Sequence, residues 1–302
     1  MRVLGSLTIC ESCTEMVWDK KCVQAALSQQ PNFKSANMSS KPHPQQNHLL
    51  AALSPEVQGR LFPYLELVPL PLRALLYESR YPMRHVYFPT DSILSLQYVL
   101  ENGATTAILV VGNEGLLGIS LFMGGESTPN RSLVQSAGYA YRLPRRQVKE
   151  EFSRHGQLLM LMLRYTQALI TQISQTAVCN RHHSIDQQLC RWLLLSMDRL
   201  SHNHLTMTQE FISNMLGVRR EGVTNAALEL QRLGVISYSR GLIKVLDRPK
   251  LETLSCECYA VVKLETDRLM PYLPLIVLTP PARVAATPTA QSAEPPPLRA
   301  KR

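Results

Sequence analysis

Between residues 205 and 246 the apolar residues recur first at helical spacing and then in strand-like runs. A first set predicts a helix that Thr208 caps and Gly217 ends: Phe211, Ile212, Met215 and Leu216. A second set shares one side of a following helix that ends at Gly234: Val223, Ala226, Ala227, Leu230 and Leu233. Apolar runs on both sides of Ser239-Arg240-Gly241 predict a hairpin. The pattern therefore predicts two short helices joined by a tight turn and followed by a small β wing.

The polar residues of this segment are concentrated where the second helix begins. Arg219, Arg220 and Glu221 stand in its first turn, and Asn225 follows one turn later. An α-helix, about 10–12 Å in diameter, fits the major groove of DNA, where the side chains of its first turn meet base edges. The alternative is a helical hairpin inside a core, which is disfavoured because two arginines and a glutamate are rarely buried together. The layout predicts a DNA-binding winged helix-turn-helix.

This segment resembles the winged helix-turn-helix of the Crp/Fnr transcription regulators at Gly217, Arg220, Glu221 and Val223. The resemblance implies that Arg220 and Glu221 read bases, since arginine suits guanine and glutamate accepts from the cytosine amino group. Asn225, which is better matched to adenine, stands where the family's cyclic-AMP receptor has a second base-reading arginine. Arg219 and the wing's Arg240 are expected to contact phosphates. The full predicted DNA-binding set is Thr208, Gln209, Arg219, Arg220, Glu221, Thr224, Asn225, Ser239 and Arg240.

Short strand-like runs separated by turn residues fill the region from 83 to 143. They cover residues 83–88, 93–99, 105–111, 131–135 and 139–143, and short helical patterns precede them between 49 and 76. The order of these runs, the sequence Gly-Leu-Leu-Gly at 115–118 and the pair Arg131-Ser132 resemble the cyclic-nucleotide-binding β-roll of the same family. The region is therefore expected to form a compact β-roll sensor domain.

The same resemblance identifies a candidate effector pocket. In the family an Arg-Ser or Arg-Thr pair holds the cyclic phosphate, and a glutamate directly after the second glycine holds the ribose hydroxyl. Arg131 and Ser132 match the pair, whereas Ile119 occupies the glutamate position. A ribose hydroxyl that faces isoleucine loses a hydrogen bond to a charged group, worth about 1.5–3 kcal/mol. We therefore predict that cyclic AMP does not control the protein, and Arg131 is either a retained effector contact or a surface arginine paired with a carboxylate.

A short helix is predicted from 144 to 152, and a long helix with two apolar stripes is predicted from 157 to about 179. One stripe has the alternating four-and-three spacing of a coiled-coil seam: Leu158, Met162, Tyr165, Leu169, Gln172 and Thr176. The other stripe is expected to face the β-roll: Leu159, Leu163, Ile170 and Ile173. Because a helix that is apolar on two sides must be covered on both, we predict that the first stripe joins two chains in a parallel homodimer. The alternative is burial of the whole helix inside one monomer, against which the family resemblance argues.

Cysteines and histidines raise the question of a metal or redox centre. Cys10, Cys13 and Cys22 have a spacing that can ligate zinc or an iron–sulfur cluster, and the oxygen-sensing branch of Crp/Fnr carries an N-terminal cysteine cluster. No fourth cysteine lies between Cys22 and Cys179, so we expect unliganded cysteines and no cofactor. Met38 is an alternative start that would remove the cluster. The loop histidines are expected to be solvated, because no cysteine or carboxylate accompanies them at matching spacing: His182, His183, His202 and His204.

Composition agrees with two globular domains and flexible ends. Of the 302 residues 45% are hydrophobic and 18% are charged, and the formal net charge of +9 favours polyanionic partners. The longest apolar run is too short to span a bilayer and the start lacks a leader peptide, so a cytoplasmic protein is expected. The predicted units are a flexible extension (1–47), the β-roll (48–143), a short helix with the dimerisation helix (144–180), the winged helix-turn-helix domain (181–270) and a disordered Pro/Ala-rich tail (271–302).

These elements predict an α+β fold with an N-terminal β-roll sensor domain, a long dimerisation helix and a C-terminal winged helix-turn-helix. No nucleophile–base pair, carboxylate pair or nucleotide-hydrolysis loop has a spacing that supports catalysis, so an enzyme is not expected. The predicted function is that of a homodimeric transcription regulator on a near-palindromic operator in double-stranded DNA, with RNA polymerase as a further candidate partner and no membrane. The competing hypothesis is a redox, metal or haem sensor that uses the N-terminal cysteines and for which DNA binding is secondary.

Overall fold

The computed structural model describes residues 42–200 and 202–270. It contains a β domain, a long helix and a C-terminal domain of helices with a small sheet, so the predicted α+β class is confirmed. The predicted tail 271–302 and the candidate ligands Cys10, Cys13 and Cys22 lie outside the described residues.

Two antiparallel sheets form the β domain. Three strands have the order β1-β7-β3, and four have the order β2-β6-β4-β5. The strands are β1 (Glu66–Leu70), β2 (Leu75–Tyr77), β3 (His85–Pro89), β4 (Ile93–Val99), β5 (Thr105–Val111), β6 (Arg131–Ser136) and β7 (Gly138–Pro144). Helices α1 (His48–Ala51) and α2 (Pro55–Leu61) precede them, and 3-10 turns cover Pro44–Gln46, Phe62–Tyr64 and Ile119–Leu121.

The first two strands of the β domain were not predicted as strands from the sequence. β1 and β2 fall where short helical patterns were expected, whereas β4 and β5 have the predicted bounds. β2 has only three residues, too few to show alternation, and β1 contains Pro69. An edge strand tolerates proline because its outer N–H groups have no ladder partner, and β1 lies at a sheet edge.

Side chains from both sheets and from the long helix form one core. Val86, Leu94, Val134 and Ala140 are fully buried in it. After α3 (Arg145–Phe152), helix α4 (Gln157–His182) closes this core along one side. The β domain and α4 are therefore one packing unit.

The inner face of α4 is the one that the sequence assigned to a partner chain. Five members of that set are buried against the β domain, and only Thr176 is partly exposed: Leu158, Met162, Tyr165, Leu169 and Gln172. The exposed large apolar side chains are instead Met160, Leu163, Ile170, Ile173 and Val178, the first three of them 52% exposed. The stripe predicted to join two chains therefore faces the β domain, whereas Leu163, Ile170 and Ile173 of the stripe predicted to face that domain are exposed and Leu159 is partly buried.

Hydrogen bonds explain why the polar members of this inner stripe are tolerated inside one chain. The Tyr165 hydroxyl donates to the Leu116 carbonyl at 2.9 Å, and Gln172 Nε2 donates to the Val110 carbonyl at 3.3 Å. Buried polar groups need such partners, and backbone carbonyls of the β domain supply them. Spacing alone locates two apolar stripes without showing which of them the sheet covers.

The C-terminal domain combines a helix-turn-helix, a small sheet and three further helices within the described residues. Its elements are α5 (Ile185–Met197), β8 (His204–Thr206), α6 (Gln209–Leu216), α7 (Arg220–Arg232), β9 (Ile236–Ser239), β10 (Leu242–Val245), α8 (Arg248–Leu254) and α9 (Glu257–Leu269). The wing has a third strand that was not predicted, in the order β8-β10-β9. After Asp247 the chain forms the two helices α8 and α9.

The C-terminal domain packs directly on the four-stranded sheet. Ile93, Ala107 and Val110 share a buried cluster with Trp192 and Met215. A buried ion pair crosses the same interface, because Arg199 Nε lies 2.7 Å from Glu114 Oε1 with side-chain exposures of 7% and 9%. Close backbone approach also occurs, since a Cβ at Gly217 would lie 2.6 Å from Thr106 Oγ1. The two domains therefore share a continuous buried interface.

Candidate nucleic-acid interface

Local sequence signals fix the helix-turn-helix. The Thr208 hydroxyl accepts from the Phe211 N–H at 3.2 Å and caps α6. Gly217, with φ of 68°, ends α6 in the left-handed region that glycine favours, and α7 begins three residues later. The Thr224 hydroxyl donates to Gln209 Oε1 at 2.9 Å and ties α7 to the start of α6. Gln209 and Thr224 are thus placed to orient the helix pair.

The first turns of α7 present polar groups to solvent. Arg219, Arg220, Glu221 and Asn225 are exposed, while Val223 on the opposite face is fully buried. Among the described residues, no ion pair involves Arg219, Arg220 or Glu221. Guanidinium and carboxylate groups that have no ion-pair partner in the protein can form hydrogen bonds with the acceptors and donors on base edges. All four sequence-predicted residues therefore lie together on one accessible face.

The wing lies beside the start of α6. A two-residue turn of Arg240 and Gly241, with φ values of 50° and 80°, joins β9 to β10 as the hairpin twist requires. Ser239 and Arg240 are exposed at this turn. The Tyr238 hydroxyl donates to the Met207 carbonyl at 2.9 Å, and this bond fixes the wing to the residue before Thr208. Burial raises the pKa of Tyr238, and the nearby Arg220 guanidinium opposes that rise.

Two further cations lie near the predicted contacts. Arg240 and Thr208 line a surface depression together with Arg73 of the β1–β2 turn. Lys244 is exposed on β10 between the buried Ile243 and Val245. Strand alternation in the sequence would have identified Lys244 as outward-facing. Arg73 belongs to the β domain, so no local signal could have brought it to the wing.

The cavity beside the Gly-Leu-Leu-Gly segment differs from the expected effector pocket. It has a volume of about 110 Å³ and is lined by Ile119 and Ser132 among largely apolar neighbours. Among the described residues that line it, none carries a charge. Arg131 instead lines a depression on the outside of the sheet, next to Glu210 of α6. Neighbouring residues of a strand point to opposite sides, so Arg131 and Ser132 cannot both face the cavity.

Neither sequence-based interpretation of Arg131 holds in the structure. Its side chain does not line the cavity, and among the described residues no carboxylate forms an ion pair with it. Its Nε is buried without a hydrogen-bond partner. The expectation of a phosphate ligand or a surface ion pair is therefore corrected to a half-buried arginine beside α6.

The structure brings together four residues of types that can bind a metal, which the sequence did not predict to lie close together. Ligand atoms of Cys179, His183, Cys256 and Cys258 all lie within 4.8 Å of one another. His183 was expected to be a solvated loop histidine without a cysteine partner, which is wrong, since its Nδ1 lies 3.5 Å from Cys258 Sγ. His202 and His204 stack on each other at 4.0 Å.

Comparisons with known proteins agree with this architecture. Residues 187–254 match the family model of the Crp-like helix-turn-helix domain. The structure of FixK2 from Bradyrhizobium japonicum has a TM-score of 0.55 at 15% identity, with 64% of this chain and 98% of that chain covered. A transcriptional regulator of the Crp/Fnr family from Eubacterium rectale gives 0.53 at 18% identity, with 70% and 98% covered. No curated protein matches the sequence.

A third structure extends the agreement to another lineage. A transcriptional regulator of the CRP family from Thermus thermophilus, TTHB099, has a TM-score of 0.53 at 16% identity, with 62% of this chain and 96% of that chain covered. No enzyme family is indicated by these matches. Helices of the described residues include none with the length and apolarity needed to cross a membrane. The resemblance seen in the sequence is confirmed: the chain has the fold of the Crp/Fnr transcription regulators and carries a Crp-like helix-turn-helix domain.

Proposed function

We propose that this protein is a sequence-specific, DNA-binding transcription regulator that acts as a homodimer and without cyclic AMP. The observation that carries the proposal is the exposed, unpaired set Arg219, Arg220, Glu221 and Asn225 on the first turns of α7. In this role Arg220 donates to the two acceptors of guanine, Glu221 accepts from cytosine and Asn225 pairs with adenine. Arg219, Arg240, Ser239 and Thr208 contact phosphates and set the register of the helix in the groove.

The exposed face of α4 supports a homodimer. Met160, Leu163, Ile170 and Val178 leave apolar surface in water along this helix, with Gln167 and Ser174 between them. The same face of a second chain, related by a two-fold axis, would cover both surfaces at once. Such a dimer presents two copies of α7 to two half-sites, which suits a near-palindromic operator.

The properties of the cavity support independence from cyclic AMP. Its volume of about 110 Å³ lies below the roughly 300–1,000 Å³ of small-molecule pockets. A cyclic phosphate inside it would be a buried anion without a cation among the lining residues, which is energetically costly. A regulator of this kind would bind chromosomal DNA in the cytoplasm, with RNA polymerase as its partner. This role would require no catalytic group.

The test is in vitro selection of operator DNA with the full chain, followed by binding measurements on single-base variants of the selected site at several salt concentrations. We expect Arg220→Ala to cost about 1–3 kcal/mol on the preferred site and to relax the preference at one base pair. We expect Arg240→Ala to weaken binding to all sequences similarly and to reduce the salt slope by about one unit.

Arg232→Ala is the matched control. Arg232 is an exposed arginine on the last turn of the same helix, and it is paired with Glu229 at 2.6 Å. Its replacement should leave both affinity and base preference unchanged. Equal losses for Arg220→Ala on every base variant, or a change of base preference for Arg240→Ala, would show that the roles are assigned wrongly.

A further inference from the structure

We propose that Cys179, His183, Cys256 and Cys258 bind a single zinc ion in tetrahedral coordination. All four residues are at least partly buried, and their ligand atoms converge from two separate parts of the chain. Three thiolates and one imidazole are a ligand set of structural zinc sites. The site uses none of the N-terminal cysteines and none of the residues that line the cavity in the β domain.

The distances agree with one ion. Cys179 Sγ lies 3.6 Å from Cys256 Sγ, and Cys258 Sγ lies 3.5 Å from His183 Nδ1. In a tetrahedron with Zn–S of about 2.3 Å and Zn–N of about 2.0–2.1 Å, two sulfurs are about 3.8 Å apart and sulfur and nitrogen about 3.6 Å apart. An iron–sulfur cluster distributes its ligands over two or more iron atoms and would need a wider cage than the 4.8 Å limit of this group.

The surroundings of the histidine have the features of a metal ligand. Its Nδ1 faces the cysteines, while its Nε2 lies 3.3 Å from Glu257 Oε1. A ligating histidine usually donates its other ring N–H to a carboxylate, which fixes the tautomer and strengthens the ligand. Glu257 stands between the two cysteine ligands of α9 and is therefore positioned for this second contact.

A buried cation next to the cluster lacks a counter-charge. Arg191 is 6% exposed, its Nε has no hydrogen-bond partner, and no described carboxylate forms an ion pair with it. Its guanidinium would interact electrostatically with the thiolate forms of all three cysteines of the cluster. Zinc bound to three thiolates and a neutral imidazole carries a net negative charge, which would balance the guanidinium.

The position of the cluster gives the ion a structural consequence. Cys179 lies in the last turn of α4, and His183 and Ser184 alone separate α4 from α5. Cys256 is the N-cap of α9, and Cys258 is in its first turn. An ion bound here would hold the start of α9 against the joint between the long helix and the DNA-binding domain.

The experiment is metal analysis of the full chain, followed by removal of metal and titration with Co²⁺ and then Zn²⁺. We expect about one zinc ion per chain and, with cobalt, the visible bands of a tetrahedral site with sulfur-to-metal charge transfer. Cys258→Ser should abolish the charge-transfer spectrum of the site or reduce its intensity by about a third, and Glu257→Gln should weaken zinc binding about 10–100-fold. His183→Cys should retain the ion and strengthen the charge-transfer band, which guards against loss of signal through misfolding.

Two controls separate this site from other thiols. Cys190→Ser removes a buried thiol outside the cluster whose pKa burial raises to about 12, and the joint replacement of Cys10, Cys13 and Cys22 by Ser removes the N-terminal candidate. Both should retain zinc. The proposal is overturned if apo protein takes up no cobalt, if Cys179 and Cys256 form a disulfide, or if metal is lost only with the N-terminal cysteines. Because no DNA is present, the outcome is independent of the proposed DNA binding.

Discussion

Breaking the ion pair between Glu114 and Arg199 should strongly destabilise the interface between the two domains. Glu114 Oε1 accepts from Arg199 Nε at 2.7 Å, and Glu114 Oε2 accepts from the Gly112 N–H at 3.0 Å. Both side chains are almost fully buried, with exposures of 7% and 9%, so water cannot replace a lost partner. Removing one member of a buried pair costs about 3–5 kcal/mol, because the other charge is left uncompensated. We expect Arg199→Met to lower the free energy of unfolding by this amount.

Methionine keeps the aliphatic stem and removes the guanidinium, which also donates a hydrogen bond to the Leu195 carbonyl. A Cβ at Gly112 would lie 2.6 Å from Arg199 Cβ, which shows that the aliphatic stem of Arg199 is tightly enclosed. Glu114→Leu should cost a similar amount, whereas the double variant should recover much of the loss, since two apolar groups leave no buried charge. Urea titration can use the fluorescence of Trp192, which is 6% exposed in the same interface. The prediction would be refuted if a single variant lowered the free energy of unfolding by less than about 1 kcal/mol, or if the two losses were strictly additive in the double variant.

Three further outcomes follow from the structure. Ile170→Glu should convert the proposed dimer into monomers in sedimentation velocity, because it charges the exposed face of α4, whereas Leu100→Glu, at a 59% exposed leucine of the β4–β5 turn, should not. Calorimetric titration with cyclic AMP should give no binding at micromolar concentrations, and saturation there would contradict the cavity argument. The pKa of His85 in the folded state is lowered from 6.5, mainly by burial and secondarily by the Arg142 guanidinium. The stabilisation that comes from neutral His85 is therefore complete above pH 6.5 and is lost as the pH falls through the folded-state pKa. Chemical denaturation between about pH 7 and 5 should show a smaller loss in His85→Gln than in the unmodified chain.

The sequence pattern predicted those helices and strands whose ends are determined by residues close to them in the chain. β4 and β5 are seven-residue runs of mostly strand-forming residues on either side of the Asn102-Gly103 turn, and Thr208 and Gly217 mark the ends of α6, so their bounds could be predicted. The exposed residues on α7 were also accessible to sequence reasoning, because a helix in contact with a core on one side must show its charged side to solvent.

The features that could not be predicted depend on tertiary packing, which sequence patterns do not show. Both stripes of α4 are apolar, and the choice between them depends on carbonyls of the β domain that bind Tyr165 and Gln172. The direction of Arg131 depends on the register of β6, where a shift of one residue exchanges the two faces. The cluster of Cys179 and Cys256 joins residues 77 positions apart, so no spacing rule could reveal it.

The contact between Gly217 and Thr106 has a consequence for how this chain can evolve. Position 217 must adopt a φ of 68° to end α6, and any side chain there would also collide with the hydroxyl of Thr106 on the four-stranded sheet. A replacement tolerated by an isolated helix-turn-helix would therefore still push the two domains apart. Among relatives that keep this interface, position 217 should therefore remain glycine, so that the β domain constrains the turn that leads into α7.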